Sequence, residues 1–274
     1  MHRPLASTLF ALFFLLGGIP ATFAKGHSAT AEEKDIPLES VVLSRGAYQA
    51  RVRIPAAGTA RAIVILGSGD GGWSYWEERV AKHLGRTCAV VGVDFSTYSA
   101  SDYSQSVLAA DLATLTALAR SRVGGKGAEL PVIYGGWSMG AEQAVAAAGA
   151  VQSRPPGLRG LLLVAPGERG RYGLRLRDRV GLAPSGDGTF GLADFAVPLK
   201  GLRLAQFHAK YDLLDTPEWA AGLDLDLKRF DLPRGFHDFE GAGPDFLKMV
   251  DEAVDWIVTP EAQKPAEAKP KVSP

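Results

Sequence analysis

The feature that most constrains this chain is the run from Pro131 to Glu142, which contains Gly136-Trp137-Ser138-Met139-Gly140. This is a G-x-S-x-G nucleophile elbow, a pattern that has meaning only between a strand and a helix. Val132-Ile133-Tyr134 leads in and predicts a buried strand. Ala141 to Ala150 is alanine-rich, leads out and predicts a helix. Side chains at 136 or 140 would collide where helix and strand approach, so the glycines have a steric reason.

The flanking sequence repeats the alternation. Glu39–Leu43 and Tyr48–Ile54 predict a strand pair turned at Ser44-Arg45-Gly46. Ala62–Leu66, Thr87–Val93 and Leu158–Val164 read as buried apolar strands, and Leu202–His208 and Leu225–Leu232 as further strands. Between and after them, Trp73–Leu84, Tyr103–Ser121 and Asp245–Val258 read as helices, with Leu108, Leu112, Leu115 and Leu118 on one face of the second. Strands apolar on both faces imply a mostly parallel sheet covered by helices on both sides. With the elbow, this is the α/β-hydrolase fold. The expected hydrolase domain spans residues 38–259, with a cap insertion at about 167–199, a stretch too long for an ordinary connection. Residues 260–274, rich in Pro, Ala, Lys and Glu, are expected to be disordered.

Residues 1–24 have the form of a secretory signal: Arg3, an apolar run from Leu9 to Ile19, and Thr22-Phe23-Ala24 before a cut at Lys25. The apolar run is short for a hydrocarbon core of about 30 Å. Cleavage, a polar linker over 25–37 and a periplasmic location are the expectation. The single cysteine, Cys88, allows no intrachain disulfide and reads as a small buried hydrophobe. Lys+Arg and Asp+Glu both number 30, so no nucleic-acid partner is indicated. No His, Cys, Asp and Glu cluster has metal-ligand spacing. The glycines from Gly67 to Gly72 lack the G-x-G-x-x-G spacing of a dinucleotide site. Neither metal nor cofactor is expected.

The elbow predicts its partners in chain order, Ser, then Asp or Glu, then His. His237 follows the last strand, where the fold places the base; His208, at a strand end, is the alternative. Asp212 is the expected acid, with Asp215 in the same loop next and Asp94 third. The carboxylate would fix the imidazole tautomer and stabilise its cation. Backbone N–H groups of Met139 and Asp70 are the expected oxyanion donors.

Four segments together resemble the bacterial virulence protein family VirJ/AcvB. They are Gly67-Ser68-Gly69-Asp70-Gly71-Gly72-Trp73, Val91-Gly92-Val93-Asp94, the elbow through Glu142, and Gly235-Phe236-His237-Asp238-Phe239. The resemblance covers roughly residues 60–258. It implies a periplasmic α/β-hydrolase-like protein. It also implies either hydrolysis of lysyl-phosphatidylglycerol, as in AcvB-type members, or a part in type IV secretion, as in VirJ-type members. The family elbow usually reads Gly-Tyr-Ser-Phe-Gly-Ala-Asp; Trp137, Met139 and Glu142 depart from it.

The leading expectation is an exported serine hydrolase acting on an aminoacyl phospholipid. A broader small-ester esterase or peptidase is the first alternative. A non-catalytic binding protein associated with secretion is the second. Glu142 lies one helical turn after Ser138 and is a candidate for holding a substrate ammonium; the other reading is an acidic residue favoured by the helix N-terminus. Within the cap, Tyr172, Leu174, Leu176 and Val180 alternate with Arg171, Arg175, Arg177 and Arg179, with Asp178 interrupting. This predicts a strand with an arginine face. Arg175 and Arg177 would meet phosphates at an anionic membrane, or would protect a sheet edge.

Overall fold

The computed structural model describes residues 35–180, 182–214, 217–239 and 242–260. The expected signal, most of the linker, the tail beyond residue 260 and Asp215 lie outside the described residues. The chain begins with an antiparallel hairpin, β1 (Leu38–Leu43) and β2 (Gly46–Arg53), whose turn is allowed by Gly46 at φ +118°. There follow β3 (Ile63–Gly67), α1 (Tyr75–Leu84), β4 (Ala89–Val93), the short α2 (Phe95–Tyr98) and α3 (Gln105–Val123). Next come β5 (Val132–Trp137), α4 (Met139–Gly149) and β6 (Leu158–Val164). A two-stranded ribbon, β7 (Arg169–Arg171) with β8 (Thr189–Gly191), precedes the short α5 (Ala196–Leu199). The chain closes with β9 (Arg203–Ala209), β10 (Asp226–Leu232) and α6 (Gly243–Val258).

Eight strands form one sheet in the order β1-β2-β4-β3-β5-β6-β9-β10. From β4 to β10 every neighbouring pair is parallel; β2 runs antiparallel to both β1 and β4. This is the α/β-hydrolase fold expected above. Burial on both faces explains why the central strands read as continuous apolar runs. Along β3, Ile63 and Ile65 enter one core while Val64 and Leu66 enter the other. The first core is covered by Leu108, Leu112 and Leu115 of α3 and by Val145 of α4. The second is covered by Val80 and Leu84 of α1 and by Phe246, Val250 and Val254 of α6. Cys88 is buried in the second core, and burial pushes its thiol pKa up.

Helix starts follow their caps. α1 begins two residues later than the apolar pattern predicts, because Ser74 and Glu77 form a capping box. α3 likewise starts after its cap, Ser104. The chain passes from β3 outward to β4 and then back to β5 on the other side of β3. The loops after β3 and β5 therefore leave the sheet around a common crevice, the place where such sheets bind ligands.

The cap departs from expectation. Of the arginine-rich stretch only Arg171 is strand, at the end of β7; residues 172–177 are not, and a 3₁₀ turn runs through Asp178–Val180. Two physical causes end the strand. Gly173 stands at φ +134°, outside the extended region. Asp178 then folds back: its Oδ2 accepts from Arg175 N at 2.9 Å and from Arg171 Nε at 3.1 Å. The alternation of apolar residues and arginines here is local sequence without the strand to express it. The ribbon is instead fastened to α4, where Gln143 Nε2 donates to Arg171 O at 2.9 Å. Tyr172 and Phe190 pack against each other beside this bond, ring centroids 4.5 Å apart.

Candidate active site

Ser138 joins β5 to α4 with φ +45° and ψ −114°, a conformation that a non-glycine residue adopts only under constraint. The constraint is steric. A Cβ on Gly140 would lie 2.4 Å from Gly67 O, and one on Gly136 would lie 2.6 Å from both Gly140 C and Gly67 O. Gly67 and Gly136 are also register partners across β3 and β5. The two loops are thus pressed together by backbone contact, which brings Gly69 beside Ser138: its added Cβ would be 3.9 Å from Ser138 Cβ.

The loop after β3 turns tightly, with Gly72 N donating to Gly69 O at 3.1 Å. Gly69 N–H is directed to Glu77 Oε1 at 3.3 Å, which ties the loop to the first turn of α1. The next residue, Asp70, lines the same cavity as Ser138 and Met139. Met139 is the first residue of α4, so its amide belongs to the helix-terminal set that has no intrahelical acceptor. The fold therefore brings the two expected oxyanion donors to one cavity.

His237 and Asp212 come together from the loops after β10 and β9. His237 Nδ1 lies 2.9 Å from Asp212 Oδ2. A carboxylate only accepts, so Nδ1 carries the proton and Nε2 is left as the acceptor. The Asp212 side chain is fully buried, whereas that of His237 is 29% exposed. Asp212 Oδ1 also accepts from Leu214 N at 2.9 Å. The loops are laced by Tyr211 N to Gly235 O at 3.0 Å and Lys210 N to Leu232 O at 3.1 Å.

Other residues weighed from sequence stand elsewhere. His208 faces Asp231 across β9 and β10 at 3.6 Å, and Asp94 caps α2 by accepting from Ser96 N at 3.0 Å. Asp215 lies outside the described residues. Trp137 was not singled out for the site, yet its Nε1 donates to His237 O at 2.9 Å, while its ring packs edge-on against Phe239 and Phe246. The elbow's own aromatic residue thereby holds the loop of His237. Spacing along the chain gives no signal for this, since the two residues are 100 positions apart.

Ser138 and His237 open onto a cavity of about 350 Å³. Its walls carry Asp70, Glu142, Glu168 and Asp178. Glu142 is only 7% exposed; burial pushes its pKa up to about 8, and the Asp70 and Asp178 charges add to that, against a hydrogen bond from Gly167 N at 3.2 Å. Asp178 Oδ1 is buried with no hydrogen-bond partner among the described residues. Arg175 is drawn to Asp102 at 2.6 Å and Arg177 is exposed; neither lines the cavity. Arg169, Arg171 and Arg179 do, and Arg171 is itself buried in its ion pair with Asp178. Among the described residues no His, Cys, Asp and Glu group could hold a metal ion.

The sequence profile of the bacterial virulence protein VirJ matches residues 61–201. The chain belongs to the VirJ family. That match takes in the loop after β3, the elbow and the cap, and stops before Asp212 and His237. No curated protein matches the sequence. Solved structures that resemble this VirJ-family chain share its fold at low identity. The esterase domain of a Rhodothermus marinus protein is 17% identical, with a TM-score of 0.58 over 81% of this chain and 97% of that one. A putative dienelactone hydrolase from Klebsiella pneumoniae is 12% identical, with a TM-score of 0.60 over 81% and 96%. A Xanthomonas campestris α/β serine hydrolase described as lacking a lid is 15% identical, with a TM-score of 0.54 over 84% and 98%. Esterase-type hydrolases are thus the structural relatives of this VirJ-family chain.

Proposed function

We propose that this protein is an exported serine hydrolase that cleaves a carboxylic ester, and that its ester joins an amino acid to a phospholipid of the phosphatidylglycerol class. One observation carries the hydrolase reading: the strained elbow serine and His237 open onto the same cavity, and His237 is held from behind by the buried carboxylate of Asp212. In this reading Ser138 Oγ attacks the ester carbonyl while His237 Nε2 takes its proton. Asp212 stabilises the imidazolium that forms. The tetrahedral oxyanion is met by the N–H groups of Met139 and Asp70. Collapse breaks the ester C–O bond, and the leaving alkoxide takes the proton from His237. Water, deprotonated by the same imidazole, then releases the acid and frees Ser138.

The aminoacyl part is supported by the carboxylates in the wall. A cavity that buries Glu142 beside Asp70 and Asp178 suits an ammonium, which would draw Glu142 into its charged form. This agrees with the lysyl-phosphatidylglycerol hydrolysis that the resemblance to AcvB-type members implies. Export of the mature chain to the periplasm is part of the proposal and rests on the form of residues 1–24.

The test is a pair of substrates and a probe. The intact mature protein should label with a fluorophosphonate and hydrolyse both lysyl-phosphatidylglycerol and p-nitrophenyl acetate; Ser138→Ala should do neither. Glu142→Gln should slow the lysyl ester by one to two decades, the worth of a charge-assisted hydrogen bond of about 1.5–3 kcal/mol, and spare the neutral ester. Absence of labelling and of turnover on either ester would leave the chain as a binding protein of its family. Equal losses on both esters would return Glu142 to a structural role.

A further inference from the structure

The wall of the cavity is polar, but its surroundings are not. Among the described residues eleven large apolar side chains are exposed, and six of them sit on three segments next to this one opening. Leu176 and Leu182 belong to the cap, Tyr211, Leu213 and Leu214 to the loop of the acid, and Phe236 precedes the base. The segments meet. Leu182, Leu214 and His237 line the same cavity, and the rings of Tyr211 and Phe236 lie 5.8 Å apart. Leu213 is 93% exposed, Leu176 82% and Phe236 61%. Single exposed leucines are ordinary on a protein surface, but a cluster beside a binding site marks a contact surface.

Charge decides what that surface meets. Arg177, Arg179, Lys210 and Arg234 are exposed on the same segments and form no ion pair among the described residues. Lys210 Nζ stands 5.5 Å from the centre of the Tyr211 ring, a cation beside an amphipathic aromatic. The exposed acids on these segments, among the described residues, are Glu168, Asp187 and Asp238. Apolar side chains ringed by unpaired cations suit a surface with an acyl interior and anionic headgroups.

We propose that this collar is the face by which the protein docks on an anionic phospholipid bilayer. Leu176, Leu182, Leu213, Leu214 and Phe236 enter the headgroup–acyl boundary, and the four cations meet lipid phosphates. A lipid ester then reaches Ser138 from within the plane of the membrane. The proposal rests on the hydrolase reading only for its purpose; docking itself needs no catalysis.

The experiment is flotation of the full mature chain with vesicles of phosphatidylglycerol or of phosphatidylcholine, beside turnover of soluble p-nitrophenyl acetate. The unmodified protein should float with phosphatidylglycerol, much less with phosphatidylcholine, and progressively less as salt is raised. Leu176→Ser with Leu213→Ser should weaken binding about tenfold and leave soluble-ester turnover unchanged, since both side chains are outside the cavity wall. Arg177→Ala with Lys210→Ala should weaken binding to phosphatidylglycerol alone. Failure of the unmodified protein to float, or flotation indifferent to the leucine pair, overturns the proposal. So does a dimer in light scattering that the leucine pair dissociates, which would give the collar to a second copy. A protein that floats but never hydrolyses an ester keeps the docking face and loses the hydrolase reading; one that turns over soluble esters without floating does the reverse.

Discussion

Ser138 and His237 face one cavity, yet the two sides that present them are held by different physics. The nucleophile side is fixed by exclusion. Gly67, Gly136 and Gly140 let two backbones touch, and no atom larger than hydrogen fits between them. The base side is fixed by a few hydrogen bonds. Asp212 holds the ring of His237, Trp137 holds its carbonyl, and the loops around them are exposed and apolar. A side built by exclusion fails by unfolding, whereas a side built by hydrogen bonds fails in activity while the fold survives.

The largest expected effect breaks the first side. In Gly140→Ala the new methyl meets the backbone of Gly67 and Ser68, which cannot swing away as a side chain would. Overpacking of this kind should cost about 3 kcal/mol or more, a fall in Tm of roughly 6–12 °C for a domain of this size. Gly71→Ala is the matched control two residues from Gly69. Nothing lies within 4 Å of its added Cβ, so its Tm should stay within about 2 °C of the unmodified protein. Thermal unfolding of the two variants decides the point; similar melting would show that the loops have room to separate.

On the hydrogen-bonded side the effect falls on activity and not on stability, and the variant is Asp212→Asn. The amide cannot favour the imidazolium and would select the wrong tautomer, so kcat on a soluble ester should drop on the order of 10⁴-fold. The fold should hold, since the side chain keeps its shape and its contact with Leu214 N. Steady-state kinetics and a melting curve on one sample separate these outcomes. A loss smaller than tenfold would mean that a different acid orients the base, with Asp215 the first to try.

These two sides also differed in how far they could be read from sequence. The elbow and the sheet were legible because their causes are local: glycines where backbones touch, and continuous apolar runs where a strand is covered on both faces. Ser138, Asp212 and His237 are candidates from chain order and loop position; in the fold Ser138 and His237 line one cavity, and Asp212 lies buried behind His237. The cap was misread because its determinants are not periodic. Gly173 breaks the extended run at a positive φ, and Asp178, which looked like an interruption, is the anchor of the buried Arg171. The role of Trp137 spans 100 residues and leaves no trace in spacing. The collar is not legible for another reason: exposure of a leucine is a property of the folded surface, and the sequence places Leu213 only in the loop that carries Asp212.

Glu142 gives the smallest expected effect and the sharpest test of the contrast, because it is a buried titratable carboxyl on the Ser138 side. Its pKa in the fold is about 8, raised chiefly by burial, against about 4.3 for a free glutamate. Between those two pH values the folded state holds a proton that the unfolded chain has released. Fewer protons bound in the unfolded state means that stability falls as pH rises through that window, and the loss is complete above pH 8. Glu142→Gln keeps the shape of the protonated side chain and removes the titration. Near pH 4 the variant and the unmodified protein should melt together. The variant should then gain steadily, by at least ~1 kcal/mol or about 2–4 °C at pH 8, with no further gain beyond it. A Tm difference that stays constant from pH 5 to pH 8 would show that the carboxyl titrates normally in the fold, and the idea of a charge kept there at a cost to stability would fall. A rising difference, combined with a selective loss on the lysyl ester, would show that the nucleophile side gives up stability at one position in order to read its substrate.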